Sequence, residues 1–351
     1  MKAPKAVSRR NVLALSAAAG LSGAVGFPAV LRAEPQVLKT TGFGGPWQDI
    51  MTKELIPDFE REHDCRVQFD FAYGSWVAKL QSSPRSHPVF DVFHANGNEQ
   101  WIAAKRGLVE PTLDAKKVPN LADVYAYAKS KAVVGVDGFI MAIGLSYRKD
   151  KVSQPPTSWR DYWDTQYAGA RGGYTIPTHA FGQQIVMLAG QLYGNGPQDL
   201  DAAYKALERL KPIKLTNYGT AMMKMLLSGE ISICPINDGN AYRYNEENIG
   251  FVVPKEGGLI NEQAYSITSG TKVRDLAHAY INFILSPRVQ KRISEGLWNG
   301  PVNRTVKLDD KYQGKVITSE QQVDTLIKTD WGWYNAEKPK IDAQVNRIFG
   351  S

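Results

Sequence analysis

Short apolar strands alternate with amphipathic helices near the start of the chain, and that alternation restricts the fold more than any other feature. Residues 37–41 read as a strand. Residues 49–60 read as a helix, with Ile50, Met51, Leu55, Ile56 and Phe59 on one face and Pro57 ending or kinking it. Val67, Phe69, Phe71 and Tyr73 alternate strictly, which is a strand pattern. Residues 89–95 are an apolar run around Asp91, as in a buried strand. Strand, helix, strand, helix, strand is the grammar of an open α/β sheet.

Further on, residues 133–136 and 139–142 flank Asp137-Gly138. Asp-Gly between apolar runs predicts a type I′ hairpin, because both central residues need positive φ. New α/β material follows. Ser158 is the candidate N-cap of a helix opening at Thr157-Ser158-Trp159. Residues 174–176, 231–236 and 251–253 read as strands, and 182–192, 200–210 and 221–227 as helices, the last stopped by Gly229. Residues 275–285 carry the cleanest helical stripe, formed by Leu276, Ala277, Tyr280, Ile281, Ile284 and Leu285. Ser286-Pro287 breaks it, and a second helix covers about residues 288–295. No repeat and no long flexible linker separates the two α/β halves, so they should abut.

The chain has 351 residues, 43% of them hydrophobic and 22% charged, which fits a globular protein of about two domains. Its net charge of +7 misleads. Residues 1–33 hold Lys2, Lys5, Arg9, Arg10 and Arg32 and no acid, so losing these 5 charges leaves +2. Near-neutrality gives no electrostatic reason to expect nucleic acid. Ser8-Arg9-Arg10-Asn11-Val12-Leu13 reads as a twin-arginine export signal, followed by an uncharged, Ala/Gly/Ser-rich stretch and a cleavage site near Leu31-Arg32-Ala33-Glu34. The stretch is long enough to span a membrane but weakly apolar, which favours a cleaved signal over an anchor. No cysteine stands near the cut, so no lipid anchor is expected, and the implied compartment is the periplasm. Cys65 and Cys234 are too far apart for a metal or redox motif and read as two small buried hydrophobes.

Catalytic signatures are missing: there is no H-E-x-x-H, no G-x-S-x-G and no phosphate loop. Gly42-Phe43-Gly44 lacks the third glycine of a dinucleotide fingerprint. His278 reads as a helix surface or boundary residue, while His94 and His179 stand at strand ends where they could face a cleft. Tyr242 and Tyr244, as an i, i+2 pair, do not share a helix face for iron. The expectation is therefore no catalytic residue, no metal and no cofactor. What stands out is the chemistry after strands: Phe43-Gly44-Gly45-Pro46-Trp47, His94-Ala95-Asn96-Gly97-Asn98, Pro177-Thr178-His179-Ala180-Phe181 and Asn237-Asp238-Gly239-Asn240. Ligands of open α/β sheets bind at the carboxyl ends of strands, where glycine admits close approach, aromatics stack and amides orient. Four such loops point to a small-molecule cleft.

Several segments carry a family resemblance. Ala279-Tyr280-Ile281-Asn282-Phe283-Ile284-Leu285-Ser286-Pro287 with Gln290, Val253-Pro254-Lys255-Glu256-Gly257-Gly258, Thr157-Ser158-Trp159-Arg160-Asp161, Gly300-Pro301-Val302-Asn303, Gly44-Gly45 and Asp330-Trp331 recur in order and spacing. In them the chain resembles periplasmic solute-binding proteins of ABC transporters, above all the spermidine/putrescine-binding subgroup. The resemblance implies a two-lobed α/β fold of the type II periplasmic-binding kind. Residues 34–142 and 264–303 would form lobe one, and 143–263 and 304–351 lobe two. It also implies a monomer that closes on its solute and is read by a membrane permease.

Carried over by that resemblance, the site positions are Gln184, Gln263 with its neighbour Glu262, and Asn237 followed by Asp238. Phe43, Trp47, Phe181 and Trp331 would supply an aromatic wall, beside Gly45 and Asn96 of the strand-end loops. Neighbours on an extended segment point oppositely, so a one-residue shift would exchange Gln263 for Glu262. A diammonium solute needs carboxylates, since an unpaired buried charge costs about several kcal/mol. Only Asp238 and Glu262 are on offer, and no Arg pair suits a di-anion. The expected solute is neutral, zwitterionic or singly charged and of amine type, with polyamine as the alternative and an exported enzyme as the rival of another class.

Overall fold

The computed structural model describes residues 34–129, 135–244 and 248–350. The expected export signal and part of the first arm of the expected hairpin lie outside the described residues. Residues Pro35–Ser351 belong to one unit. Among the described residues its main sheet has eight strands: β1 (Gln36–Thr41), β2 (Cys65–Asp70), β3 (Val92–Asn96), β4 (Val136–Arg148), and, beyond the separate parallel pair β5 (Gly172–Tyr174) and β6 (Lys214–Thr216), β7 (Ile233–Asn237), β8 (Ile249–Val252), β9 (Leu259–Ile267) and β10 (Gly300–Pro301). β1 is parallel to β2 and β3, while β9 is antiparallel to β3 and to β4. β4 is long enough to pair with β9 in its first part and with β7 and β8 in its second.

Two large apolar cores flank this shared strand. One gathers Leu38, Phe59, Phe139, Tyr265, Tyr280 and Ile284 with their neighbours. The other gathers Ile143, Trp159, Leu188, Met222, Ile236 and Tyr334 with theirs. The stripe of the helix Arg274–Ile284 is buried in the first core, as its periodicity requires. Pro287 opens the next helix, Pro287–Leu297, where a missing N–H costs nothing. Ser158 caps Trp159–Trp163, a 3₁₀ helix, with Asp161 reaching back to complete a capping box. Gly229, at φ 78°, follows the helix Gly219–Leu227.

Three expectations are corrected. Asp137-Gly138 is not a hairpin turn: both residues lie inside β4, at a register shift against β9. Gly138 is required there for another reason, since a Cβ would sit 2.2 Å from the Tyr265 ring. Of the two readings of Pro57, the one that ends the helix is overturned. Residues 46–63 stay helical because a π turn, Met51–Leu55, precedes Ile56–His63 and places Pro57 in a first turn. His278 is fully buried, not at the surface: Nδ1 lies 2.9 Å from the Arg274 carbonyl and Nε2 accepts the Asp114 N–H at 3.3 Å.

Cys65 and Cys234 are buried free thiols. Burial pushes Cys65 up to about 11 and Cys234 higher still. Both should stay silent to a thiol reagent in the folded protein and react together in denaturant without reductant. Failure of the two to react after unfolding would show that they are bonded to one another.

Candidate functional site

The four strand-end loops reach one cavity of about 490 Å³, a size ordinary for small-molecule sites. After β1, Gly45 takes φ 72° and Pro46 starts a helix, which brings Phe43, Gly45 and Trp47 onto the wall. After β3, Asn96 caps the helix Gly97–Lys105: its Oδ1 accepts the Glu99 N–H at 3.1 Å, and its Nδ2 donates to Glu99 and Tyr73. After β7, Asn237 caps Asp238–Arg243 in the same way, accepting the Asn240 N–H at 2.8 Å. His179 caps the helix Ala180–Tyr193 through Nδ1, which accepts the Phe181 N–H at 3.1 Å, and its ring stacks on Tyr174 at 4.1 Å. A strand that ends in a capping side chain thus aims that side chain at the space beyond the sheet edge.

The sheet supplies the floor. Register places Phe139 opposite Gln263 and Met141 opposite Asn261, and all four side chains line the cavity. The rings of Phe43, Trp47, Phe71, Tyr73, Tyr174, Phe181 and Tyr218 complete an aromatic wall. Trp47 serves two masters: it lines the cavity, yet it is only 4% exposed and packs edge-on against Phe69 at 5.5 Å. Among the described residues of the wall, Arg243 is the one basic side chain, and no Asp or Glu is present.

Seven expected positions therefore come together: Phe43, Gly45, Trp47, Asn96, Phe181, Asn237 and Gln263. The other four lie off the wall. Asp238 turns into the sheet, where its carboxylate accepts the Ala142 N–H at 3.1 Å and the Gly239 N–H at 2.7 Å, and burial pushes it up to about 8. Glu262 follows strand alternation to the face opposite Gln263, against Gly97, and burial raises it against the opposing pull of Lys328. Asp137 sits opposite Ala264 on that same face and is raised by burial and by Glu262. Gln184 donates at 2.8 Å to both the Ile260 carbonyl and the Thr329 hydroxyl, beside a separate small cavity. Trp331 packs edge-on to Tyr334 at the start of the helix Trp331–Phe349.

Of the two strand-end histidines, only His179 lines the cavity; His94 lies beneath it, stacked on Tyr265 at 4.0 Å. Burial depresses both to about 3, so both rings are neutral. Sequence reasoning also missed Tyr73, Tyr174, Tyr218, Asn261, Arg243 and Asn299. Asn261 was within reach, since it shares a strand face with Gln263. Asn299 follows Trp298, a left-handed residue at φ 55° that ends a helix, and nothing local marks it.

A wall of rings and amides at the ends of the strands has the make-up of a site for a small solute. Residues 54–319 match the family described as bacterial extracellular solute-binding protein, and the chain belongs to that family. It is 25% identical over 288 residues to the gamma-aminobutyric acid-binding protein of Pseudomonas aeruginosa, covering 79% of this chain and 80% of that one. It is 28% identical over 257 residues to the spermidine/putrescine-binding periplasmic protein of Escherichia coli, covering 71% and 74%. The crystal structure of an ABC transporter protein from Clostridium perfringens superposes with TM-score 0.74 at 24% identity, over 89% of this chain and 99% of that one. The mixed α/β fold is that of the solute-binding proteins, and among the described residues no helix is long and apolar enough to cross a membrane.

Proposed function

We propose that this solute-binding component of an ABC transporter captures a small amine-type solute, zwitterionic, neutral or singly charged, and presents it to a membrane permease. The observation that carries the reading is the wall itself: eight aromatic rings and several amides line the cavity, and no carboxylate of the described residues does. Ring faces and amide oxygens hold one ammonium group well. A diammonium chain would leave at least one charge without an anion, at a cost of about several kcal/mol. Relatives that bind gamma-aminobutyric acid and polyamines agree with an amine-type cargo.

The contacts would come from Phe43, Gly45, Trp47, Asn96, Phe181, Asn237 and Gln263. Capture works by closure of two lobes, residues 34–142 with 264–303 and residues 143–263 with 304–351. The two separate cores support this division, and β4 and β9 pass between them. Contacts to both lobes stabilise the closed form, which the permease reads. The protein acts as a monomer in the periplasm, exported by the twin-arginine pattern at Arg9-Arg10, and no bond of the solute is made or broken.

A thermal-shift panel on ligand-stripped protein tests the reading. Amino acids, opines, polyamines, sugars, organic acids and ferric salts would be compared. A bound solute at 100 times its Kd adds about 2.7 kcal/mol, a rise of about a few degrees. Shifts confined to amine-bearing compounds support the reading, and shifts confined to sugars or ferric salts reject it.

A further inference from the structure

The polar atoms of the cavity are unequal in a way that the choice between amine and polyamine does not use. We propose that Arg243 anchors a carboxylate on the solute, so that the cargo is an amino acid in the broad sense, one carboxylate and one ammonium, and not a di- or polyamine. The inference rests on the cavity being the solute site and names the group recognised there.

Arg243 ends the helix Asp238–Arg243 and lines the cavity. One of its guanidinium donors goes to Asn240 Oδ1, and its carbon stands 5.1 Å from the centre of the Tyr244 ring. Its Nε is buried and makes no hydrogen bond, and among the described residues it forms no ion pair. A guanidinium keeps its charge in any protein and offers five donors in a fork that matches a carboxylate. Placed half-buried, with no anion beside it among the described residues, it is a charge that the solute itself completes.

The neighbours face the same way. Asn240 gives its oxygen to Arg243 and Asn237 gives its oxygen to the Asn240 N–H, so each has an NH₂ group left to donate. His179 accepts the Phe181 N–H on Nδ1, which places the ring proton on Nε2 and makes that atom a donor too. Trp47 Nε1 is a further donor, buried on the wall without a partner. The buried unpartnered acceptors are Gln263 Oε1 and Asn299 Oδ1, the latter on an amide whose Nδ2 is an equally unpartnered donor, beside the Tyr174 hydroxyl, which can play either part. One charged donor among several neutral ones suits one anionic acceptor group on the solute, while the aromatic rings and the Gln263 oxygen suit a single ammonium. The set does not suit two ammonium groups.

The test is calorimetric titration of the ligand-stripped full protein with chemically matched chains: 4-aminobutanoate, 4-amino-1-butanol, 1,4-diaminobutane and butanoate, together with the three-, five- and six-carbon sets. The amino acid of the preferred length is expected to bind about 100-fold tighter than its amino alcohol and its diamine. Arg243→Gln should remove about that factor for the amino acid and leave the amino alcohol unchanged, while Arg243→Lys restores part of it. Melting curves of both variants check that they are folded. A diamine that binds as tightly as the amino acid, or an Arg243→Gln loss equal for acid and alcohol, overturns the assignment while leaving the amine-binding function intact. Butanoate binding as well as aminobutanoate keeps the Arg243 anchor and rejects the amine. No binding by any chain overturns both.

Discussion

Replacing Arg171 by Met is expected to destabilise the protein by about 3–5 kcal/mol. Arg171 is 1% exposed, and three of its nitrogens donate to the backbone carbonyls of Tyr162 at 2.7 Å, Leu210 at 3.2 Å and Asp164. Those carbonyls belong to the 3₁₀ helix Trp159–Trp163, the turn after it and the segment following Leu200–Glu208, so one guanidinium ties three pieces of the second core together. Among the described residues no carboxylate forms an ion pair with it: carbonyl dipoles take its hydrogen bonds, and the Asp164 carboxylate adds only a favourable coulombic pull. Met fills similar volume but supplies no donor, and each abandoned carbonyl costs about 1–3 kcal/mol. Lys keeps the charge, yet a single ammonium cannot reach three acceptors set around a planar fork. Urea unfolding should show a lower midpoint with the slope unchanged. A loss under about 1 kcal/mol would mean that water or a shifted backbone re-satisfies the carbonyls.

The second large effect is a decline of stability above neutral pH. Burial raises Glu99 and Asp238 to about 8, and raises Asp137 and Glu262 as well. The folded state therefore holds protons on these groups that the unfolded chain releases above about pH 4. Their contribution is complete below that value and is lost as pH climbs through the folded pKa, about 8 for Glu99 and Asp238. His94 and His179 work in the opposite sense. Depressed to about 3 in the fold, they leave the unfolded chain to take up protons below about pH 6.5, so their contribution is lost as pH falls toward 3. The two groups oppose one another between about pH 4 and 6.5, and above that only the carboxylates act. Stability should fall from pH 6.5 to 8.5, by about 1.4 kcal/mol per pH unit for each carboxylate still protonated. Asp238→Asn has nothing to release at that position, so its decline over the same window should be shallower, whatever its stability at pH 6.5. Parallel curves for the two proteins would show that Asp238 is already ionised in the fold.

Local signals carried much of this fold. The stripe of residues 276–285, the Ser158 cap with Asp161 three positions on, and the glycine after residues 219–227 each act within a turn or two of chain, and each appears in place. The loops that form the cavity were legible from their glycines, amides and aromatics, and Asn96 and Asn237 hold their places there by a local capping hydrogen bond. Misreadings came where a distant element decided. Asp137-Gly138 has turn chemistry, but β9 pairs on both sides of it and the Tyr265 ring occupies the space that a side chain at residue 138 would need.

The sequence by itself determined that this chain alternates strands and helices, and that amides, glycines and aromatics gather at the strand ends, because periodicity and capping are properties of short segments. Only the tertiary structure decided which of them face the solute. The β4–β9 register put Gln263 and Asn261 on the cavity side and sent Glu262 with Asp137 to the other, a choice that one residue of slippage would invert. In the sequence Arg243 is one more basic residue in a helix. Its role arises because the helix after β7 meets the loops after β1 and β5 across one cavity, and no short-range rule specifies that meeting.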